Sequence, residues 1–221
     1  MISARKINKH YTLGADRIEV LRDVSLEIEE GEFISIVGRS GSGKSTLLNV
    51  LSTLVRPDKG ELYYRSSNLT DSPAAYVNTL RKSDFAVIFQ FHHLLPYLTV
   101  LQNTLLPFMR MLRPVSGDII LRAEECLERI GLGDKKNRLP GNLSGGEQQR
   151  VAIARAMVTS ARVLFADEPT GSLDKKTGEE IISLLVELQQ SGMTIIMVTH
   201  EPHYAAIAER QIELSDGRLV Q

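Results

Sequence analysis

The stretch EFISIVGRSGSGKSTLLNVL (32–51) decides the fold. Its first part, EFISIVG (32–38), is a compact β-rich run that ends in glycine, the mark of a buried strand. KSTLLNVLSTL (44–54) then reads as a helix that stops near Pro57. Between them GRSGSGKS (38–45) fits G-x-x-x-x-G-K-[ST] in the context that gives the pattern meaning, after a strand and opening a helix. Gly41 and Gly43 let the backbone fold tightly and turn amide N–H groups inward, and the helix N-terminus adds partial positive charge. Lys44 is placed to reach the β- and γ-phosphates of a nucleotide, Ser45 to bind Mg²⁺ and Thr46 to touch the α-phosphate. With Gly38, Ser40 and Ser42 these residues form an expected nucleotide cradle.

Such a cradle needs a carboxylate to complete it. VLFADE (163–168) places four apolar residues before Asp167 and Glu168. An apolar strand delivers Asp167 to the carboxyl edge of the sheet, beside the glycine-rich loop, where it would hold the Mg²⁺ shell. Strand neighbours point in opposite directions, so Glu168 is free for a second role, polarising the attacking water.

Strands are expected at 2–9, 18–28, 32–38, 60–64, 84–90, 161–167 and 193–200. Helices are expected at 44–54, 73–82 and 176–190, with a hairpin at 210–221 around Asp216-Gly217. Near-continuous apolar strands alternating with helices imply a parallel sheet covered on both faces, an α/β fold. The first strands look antiparallel and are expected to form a separate small sheet. The middle of the chain differs. TVLQNTLLPFMRML (99–112) reads as a helix kinked at Pro107, 117–131 as a helix with Ile119, Ala123, Cys126 and Ile130 on one face, and 147–160 as a third. The expected division is one domain over 1–221: a core of 1–94 and 161–221, and a helical insertion of 95–160.

Lys+Arg number 26 against 27 Asp+Glu, a net charge of −1, and give no sign of a nonspecific nucleic-acid binder. The one cysteine, Cys126, excludes an intrachain disulfide and suits a reducing compartment. The opening MISARKINKHY has no apolar stretch of signal-peptide length, and no run approaches a membrane span. The chain is expected in the cytosol, with another chain supplying any membrane part.

LSGGEQQR (143–150) presents a second phosphate-seeking helix start. Ser144 and Glu147 also fit a capping box, and both readings stand together, because the backbone amides stay available either way.

With these three elements the chain resembles, over nearly all its length, the ATP-binding subunit of ABC transporters, a P-loop NTPase (RecA-like) fold with an antiparallel β subdomain and an inserted helical subdomain. The resemblance implies roles for further residues. Tyr11 lies where the family stacks an aromatic on adenine. Gln90, after AVIF, matches the glutamine that reaches Mg²⁺ and senses the γ-phosphate. Leu143–Gln148, including Ser144, Gly145, Gly146 and Glu147, matches the signature, with Glu147 in place of the commoner glutamine. GSLD (171–174) matches the loop in which Asp174 either caps the next helix or bridges a dimer. His200, after IIMVT, matches the histidine that contacts the γ-phosphate. The implied cofactors are ATP and Mg²⁺, with Ser45, Gln90 and Asp167 at the metal and Lys44, Gln90, Glu168 and His200 in catalysis. Two chains would meet head to tail as a homodimer around two ATP molecules, each signature closing the partner's site.

The sequences at 30–51, 143–157, 166–174 and 199–219 are similar to the lipoprotein-release and macrolide-export branch (LolD/MacB type), with the cell-division ATPase FtsE as close kin. No C-terminal regulatory domain is expected after Gln221, in contrast to many sugar-importer ATPases. A membrane permease is the implied partner, holding the chain at the inner face of the cell membrane and making all contact with substrate. FHHLLPYLTVLQN (91–103) is its expected docking segment, with packing of the helical region as the alternative use of those apolar residues. An FtsE-like ATPase driving a non-transporting permease is the other functional reading.

Overall fold

Two sheets share the chain, and one helix lies between them. The computed structural model describes residues 1–14, 16–109 and 113–220. The smaller sheet is antiparallel. It pairs β2 (Asp16–Ile28) with β1 (Ile2–Leu13), β1 with β4 (Lys59–Tyr64), and β4 with the short β5 (Ser67–Asn68). The larger sheet contains β3 (Phe33–Val37), β6 (Phe85–Phe89), β7 (Val163–Asp167), β8 (Thr194–Val198), β9 (Arg210–Ser215) and β10 (Arg218–Val220), in the order β10-β9-β3-β8-β7-β6. Strands β9, β3, β8, β7 and β6 run parallel, and β10 folds back antiparallel on the edge. The sheet is therefore mixed, its parallel strands carrying at one edge the hairpin expected around Asp216-Gly217. The Asp216-Gly217 turn, both residues at positive φ (47° and 78°), reverses the chain in two residues and forces an antiparallel last strand.

Helix α1 (Lys44–Leu51) runs between the sheets and buries Leu47, Leu48, Val50 and Leu51 completely. These four share one core with Ile2, Ile7, Leu21 and Ile28 of the small sheet and Ile34, Ile36, Phe165 and Val198 of the large one. A second core, with Ile88, Leu164, Ile195 and Met197 of the sheet, takes in Leu127 of α4 (Gly117–Arg129), Val151 and Ile153 of α5 (Gly145–Val158) and Ile181 and Leu185 of α6 (Lys175–Gln190). Burial on both sides explains why β3, β7 and β8 read as unbroken apolar runs.

The remaining helices are α2 (Ala74–Ser83), α3 (Val100–Leu105) and α7 (Pro202–Ala205), the last not foreseen from the sequence. The helix expected over 99–112 ends at Leu105 and passes into a 3₁₀ turn, Leu106–Phe108. Pro107 has no N–H to continue the ladder, and its ring would meet the carbonyl of Asn103, so the chain breaks where a kink was expected. The end of that expected helix, 110–112, lies outside the described residues. Helix α5 starts two residues before the expected Glu147, because Ser144 caps it. Among the described residues no helix is long and apolar enough to cross a membrane.

Candidate functional site

The glycine-rich loop is already shaped as a cradle. Gly38, Gly41 and Gly43 hold φ of 146°, 79° and 102°, values an L side chain resists. Gly38 and Gly43 also have no room for one: a Cβ would lie 2.1 Å from the Leu214 carbonyl at the first and 2.8 Å from the Val20 carbonyl at the second. The loop is thus wedged between β9 and β2. Lys44 is buried, and its Nζ donates to the carbonyls of Gly38 (2.8 Å) and Arg39 (3.0 Å), so the ammonium is fixed at the loop's centre by its own backbone. The Ser42 hydroxyl is buried without a partner. An enclosed ammonium and an orphaned hydroxyl fit a phosphate ligand.

Beside the loop, Ser45 Oγ donates to Asp167 Oδ1 at 3.0 Å. Burial is the main influence on Asp167 and raises its pKa; the Ser45 hydrogen bond and Lys44 oppose this, while neighbouring Glu168 adds to it. A half-buried carboxylate short of positive charge, touching a serine hydroxyl, fits a hard divalent cation that keeps most of its waters.

Glu168 follows directly but points elsewhere. Its φ is 50°, in the left-handed region, and its N–H donates to the Val198 carbonyl at 2.9 Å. That bend presents the carboxylate to His200, whose Nδ1 lies 2.6 Å from Glu168 Oε2. Gln90, just after β6, reaches the same corner: a Cβ on Gly171 would be 3.0 Å from its Nε2. Lys44, Ser45, Asp167, Glu168, Gln90 and His200, scattered over 157 positions of sequence, therefore gather at the carboxyl edge of the sheet. Tyr11 sits on the small sheet opposite Ile18, 43% exposed, with the Lys9 ammonium 5.6 Å above its ring.

In the second phosphate-seeking segment, Ser144 and Glu147 bond to each other and not to the cradle. Ser144 accepts from the Glu147 N–H at 3.3 Å, and its own N–H donates to Glu147 Oε2 at 2.8 Å, a complete capping box. Lys135 Nζ pairs with the other Glu147 oxygen, and with the Ser144 bond holds the carboxyl down at about 2. Ser144 and Gly145 are exposed, whereas Gly146 is buried, because α6 crosses it: a Cβ there would meet Thr177 Cγ2 at 2.1 Å. Thr177 is itself held by Asp174, which caps α6 through bonds of 3.1 Å from the backbone N–H and 2.6 Å from the hydroxyl.

Three supporting residues escape a reading by motif. Gln149, fully buried, donates to the Pro169 carbonyl at 2.9 Å and ties α5 to the turn after Glu168. Asn103, also fully buried, accepts from the Leu95 N–H and donates to the carbonyls of Leu95, Leu98 and Thr99, at 2.8–3.1 Å. Arg155 of α5 donates to the carbonyls of His92 (3.2 Å) and His93 (3.1 Å). The signal available for Gln149 and Asn103 was a polar amide set among apolar helix residues, which burial obliges to find partners.

The family model described as ABC transporter matches residues 21–171. The chain belongs to the ABC transporter family. The cassette is 44% identical over 220 residues to a macrolide export ATP-binding/permease protein of Paracoccus denitrificans; the match takes in 100% of this chain and 33% of that protein. It is 46% identical over 224 residues to an uncharacterized ABC transporter ATP-binding protein of Methanocaldococcus jannaschii, covering 100% of this chain and 98% of the relative. The chain thus spans about one third of the length of the macrolide-export relatives and nearly all of the other. Among solved structures, the ATP-binding cassette MJ0796, dimeric in a post-hydrolysis state with ADP and Pi, superposes with a TM-score of 0.91 at 40% identity, over 100% of this chain and 97% of that one. The likeness of the cassette is accordingly to the nucleotide-binding part of MacB-type transporters.

Proposed function

We propose that this cassette binds and hydrolyses ATP as a homodimer and so powers a separate membrane permease of the lipoprotein-release and macrolide-export type. The observation that carries the reading is the division of the site. Within one chain the glycine-rich loop, Asp167, Glu168 and His200 converge, while exposed Ser144 and Gly145 engage none of them and face outward. A second chain turned head to tail would bring its Ser144 over the γ-phosphate. The Ser144 Oγ accepts from Glu147 and keeps its own hydrogen to donate.

In this reading Lys44 leaves its two backbone carbonyls for the β- and γ-phosphates, and loop amides take the remaining charge. Ser45, Asp167 and Gln90 would hold Mg²⁺, which when bound supplies positive charge to the triphosphate. Glu168 orients a water for attack on the γ-phosphorus and accepts its proton. A P–O bond forms to that water, the bond to the β-phosphate oxygen breaks, and ADP and phosphate leave. His200 holds the Glu168 carboxylate in aim and turns its ring toward the γ-phosphate. Tyr11 stacks on the adenine. The permease docks at 91–103, which holds the cassette at the inner face of the cell membrane, and substrate touches the permease alone.

Glu168→Gln tests this directly. The amide cannot take the proton, so hydrolysis should fall at least about a hundredfold while ATP binding persists and a dimer accumulates on size-exclusion chromatography with light scattering. Turnover near the wild-type rate, or a species that stays monomeric at saturating ATP, would overturn the assignment.

A further inference from the structure

We propose that Lys135 is a positioning residue for the composite site: it neutralises Glu147 so that the N-terminus of α5 can accept the partner chain's phosphate. The inference rests on the half-site reading above.

The problem it solves is electrostatic. A helix N-terminus attracts an anion through its free amides and dipole. In α5 an anion of the chain's own already stands beside that place, because the capping box folds the Glu147 carboxylate back onto the Ser144 N–H. A second anion brought to Ser144 would meet this carboxylate across a few ångströms of poorly screened space. Both partners of the pair are shielded: the Glu147 side chain is 15% exposed and that of Lys135 25%. The Lys135 ammonium cancels the charge and leaves the cap's geometry intact.

Lys135 is also held where it stands. The segment it ends, a 3₁₀ turn at Gly133–Lys135, is anchored to α3 just beyond it, where Leu101 N–H donates to the Lys136 carbonyl and Val100 N–H to that of Arg138, both at 2.9 Å. The ammonium therefore arrives from a pinned backbone rather than from a free loop.

The test uses the full chain in a Glu168→Gln background, where ATP-driven dimerisation is read by light scattering and monomer affinity by a fluorescent ATP analogue. Lys135→Met should raise the ATP concentration for half-maximal dimerisation about tenfold and leave monomer affinity within error, with a lower thermal midpoint from the lost ion pair. Lys135→Arg should stay within about twofold of the Glu168→Gln parent. Once Glu147→Gln is present, Lys135→Met should shift nothing further. The proposal is overturned by no shift, by an equal shift with and without Glu147→Gln, or by a matching loss of monomer affinity for the ATP analogue. If Lys135→Met fails to fold, Lys135→Gln is read in the same cycle. Failure of the half-site reading looks different: the Glu168→Gln parent, with Lys135 in place, would not dimerise at all.

Discussion

Gly146 illustrates how one residue type can answer to two demands. From the sequence it reads as bare backbone offered to a phosphate. The structure adds a packing reason, since Thr177 Cγ2 occupies the space where a Cβ would lie. Gly146→Ala should therefore destabilise the isolated chain by about 1–3 kcal/mol through overpacking, even with no nucleotide present. Thr177→Ser removes the offending methyl but keeps the hydroxyl bonded to Asp174, and it should restore most of that loss in urea unfolding curves. An unchanged deficit in the double variant would place the cost elsewhere. Residues such as Lys44, Ser45 and Asp167 were legible from the sequence because strand, loop and helix chemistry fix their positions locally. Gly146 was legible only in part, because its neighbour Thr177 lies 31 positions away and no local pattern announces the crossing.

At the scale of elements, the segment between β6 and α3 is the most informative. It exposes Phe91 (73%), Leu95 (48%) and Tyr97 (90%), while partly buried Leu94 packs on the core below. Packing accounts for part of the segment only: Leu94 packs, while Phe91, Leu95 and Tyr97 face outward and leave an apolar surface on which the proposed docking can be tested. What holds the outward ones in place is polar and distant, the Asn103 amide beneath and the Arg155 guanidinium from α5. Leu95→Glu leaves the backbone bonds to Asn103 intact and puts a charge where an apolar partner would sit. Permease-stimulated ATPase in proteoliposomes should drop about tenfold or more, with ATP binding by the isolated chain preserved. Full stimulation by that variant would move the docking surface elsewhere. Further along, the sequence overstated helix beyond Leu105 and missed α7 altogether. Pro107 was recognised, but it was read as a kink where the helix ends at Leu105 and passes into a 3₁₀ turn. The four-residue α7 carries too short a period to be read from sequence.

For the whole molecule, the order of sheets and motifs was largely contained in the sequence, since alternating apolar strands and helices leave few topologies. The hairpin that makes β10 was legible too, in Asp216-Gly217, but the wedging of the glycine-rich loop between two sheets was not, because it arises from pairings remote in sequence. The claim that two chains share each site has a decisive mixing experiment. Lys44→Ala and Ser144→Arg variants should each be inactive alone. Mixed in equal amounts, they should recover up to about a quarter of wild-type turnover, because random pairing makes half the dimers mixed and each of those holds one intact site of two. No recovery, or high activity from either variant alone, would contradict shared sites.

The hairpin of β9 and β10 carries a consequence for anyone who handles this protein. Gly217 N–H donates to the Ser42 carbonyl at 3.1 Å, and the Leu214 carbonyl abuts Gly38, so the rear wall of the nucleotide cradle is built by residues near position 220. A tag or tether that strains this hairpin would loosen the grip on ATP without altering any residue that touches it, and weakened binding in such a fusion should be traced to leverage before chemistry.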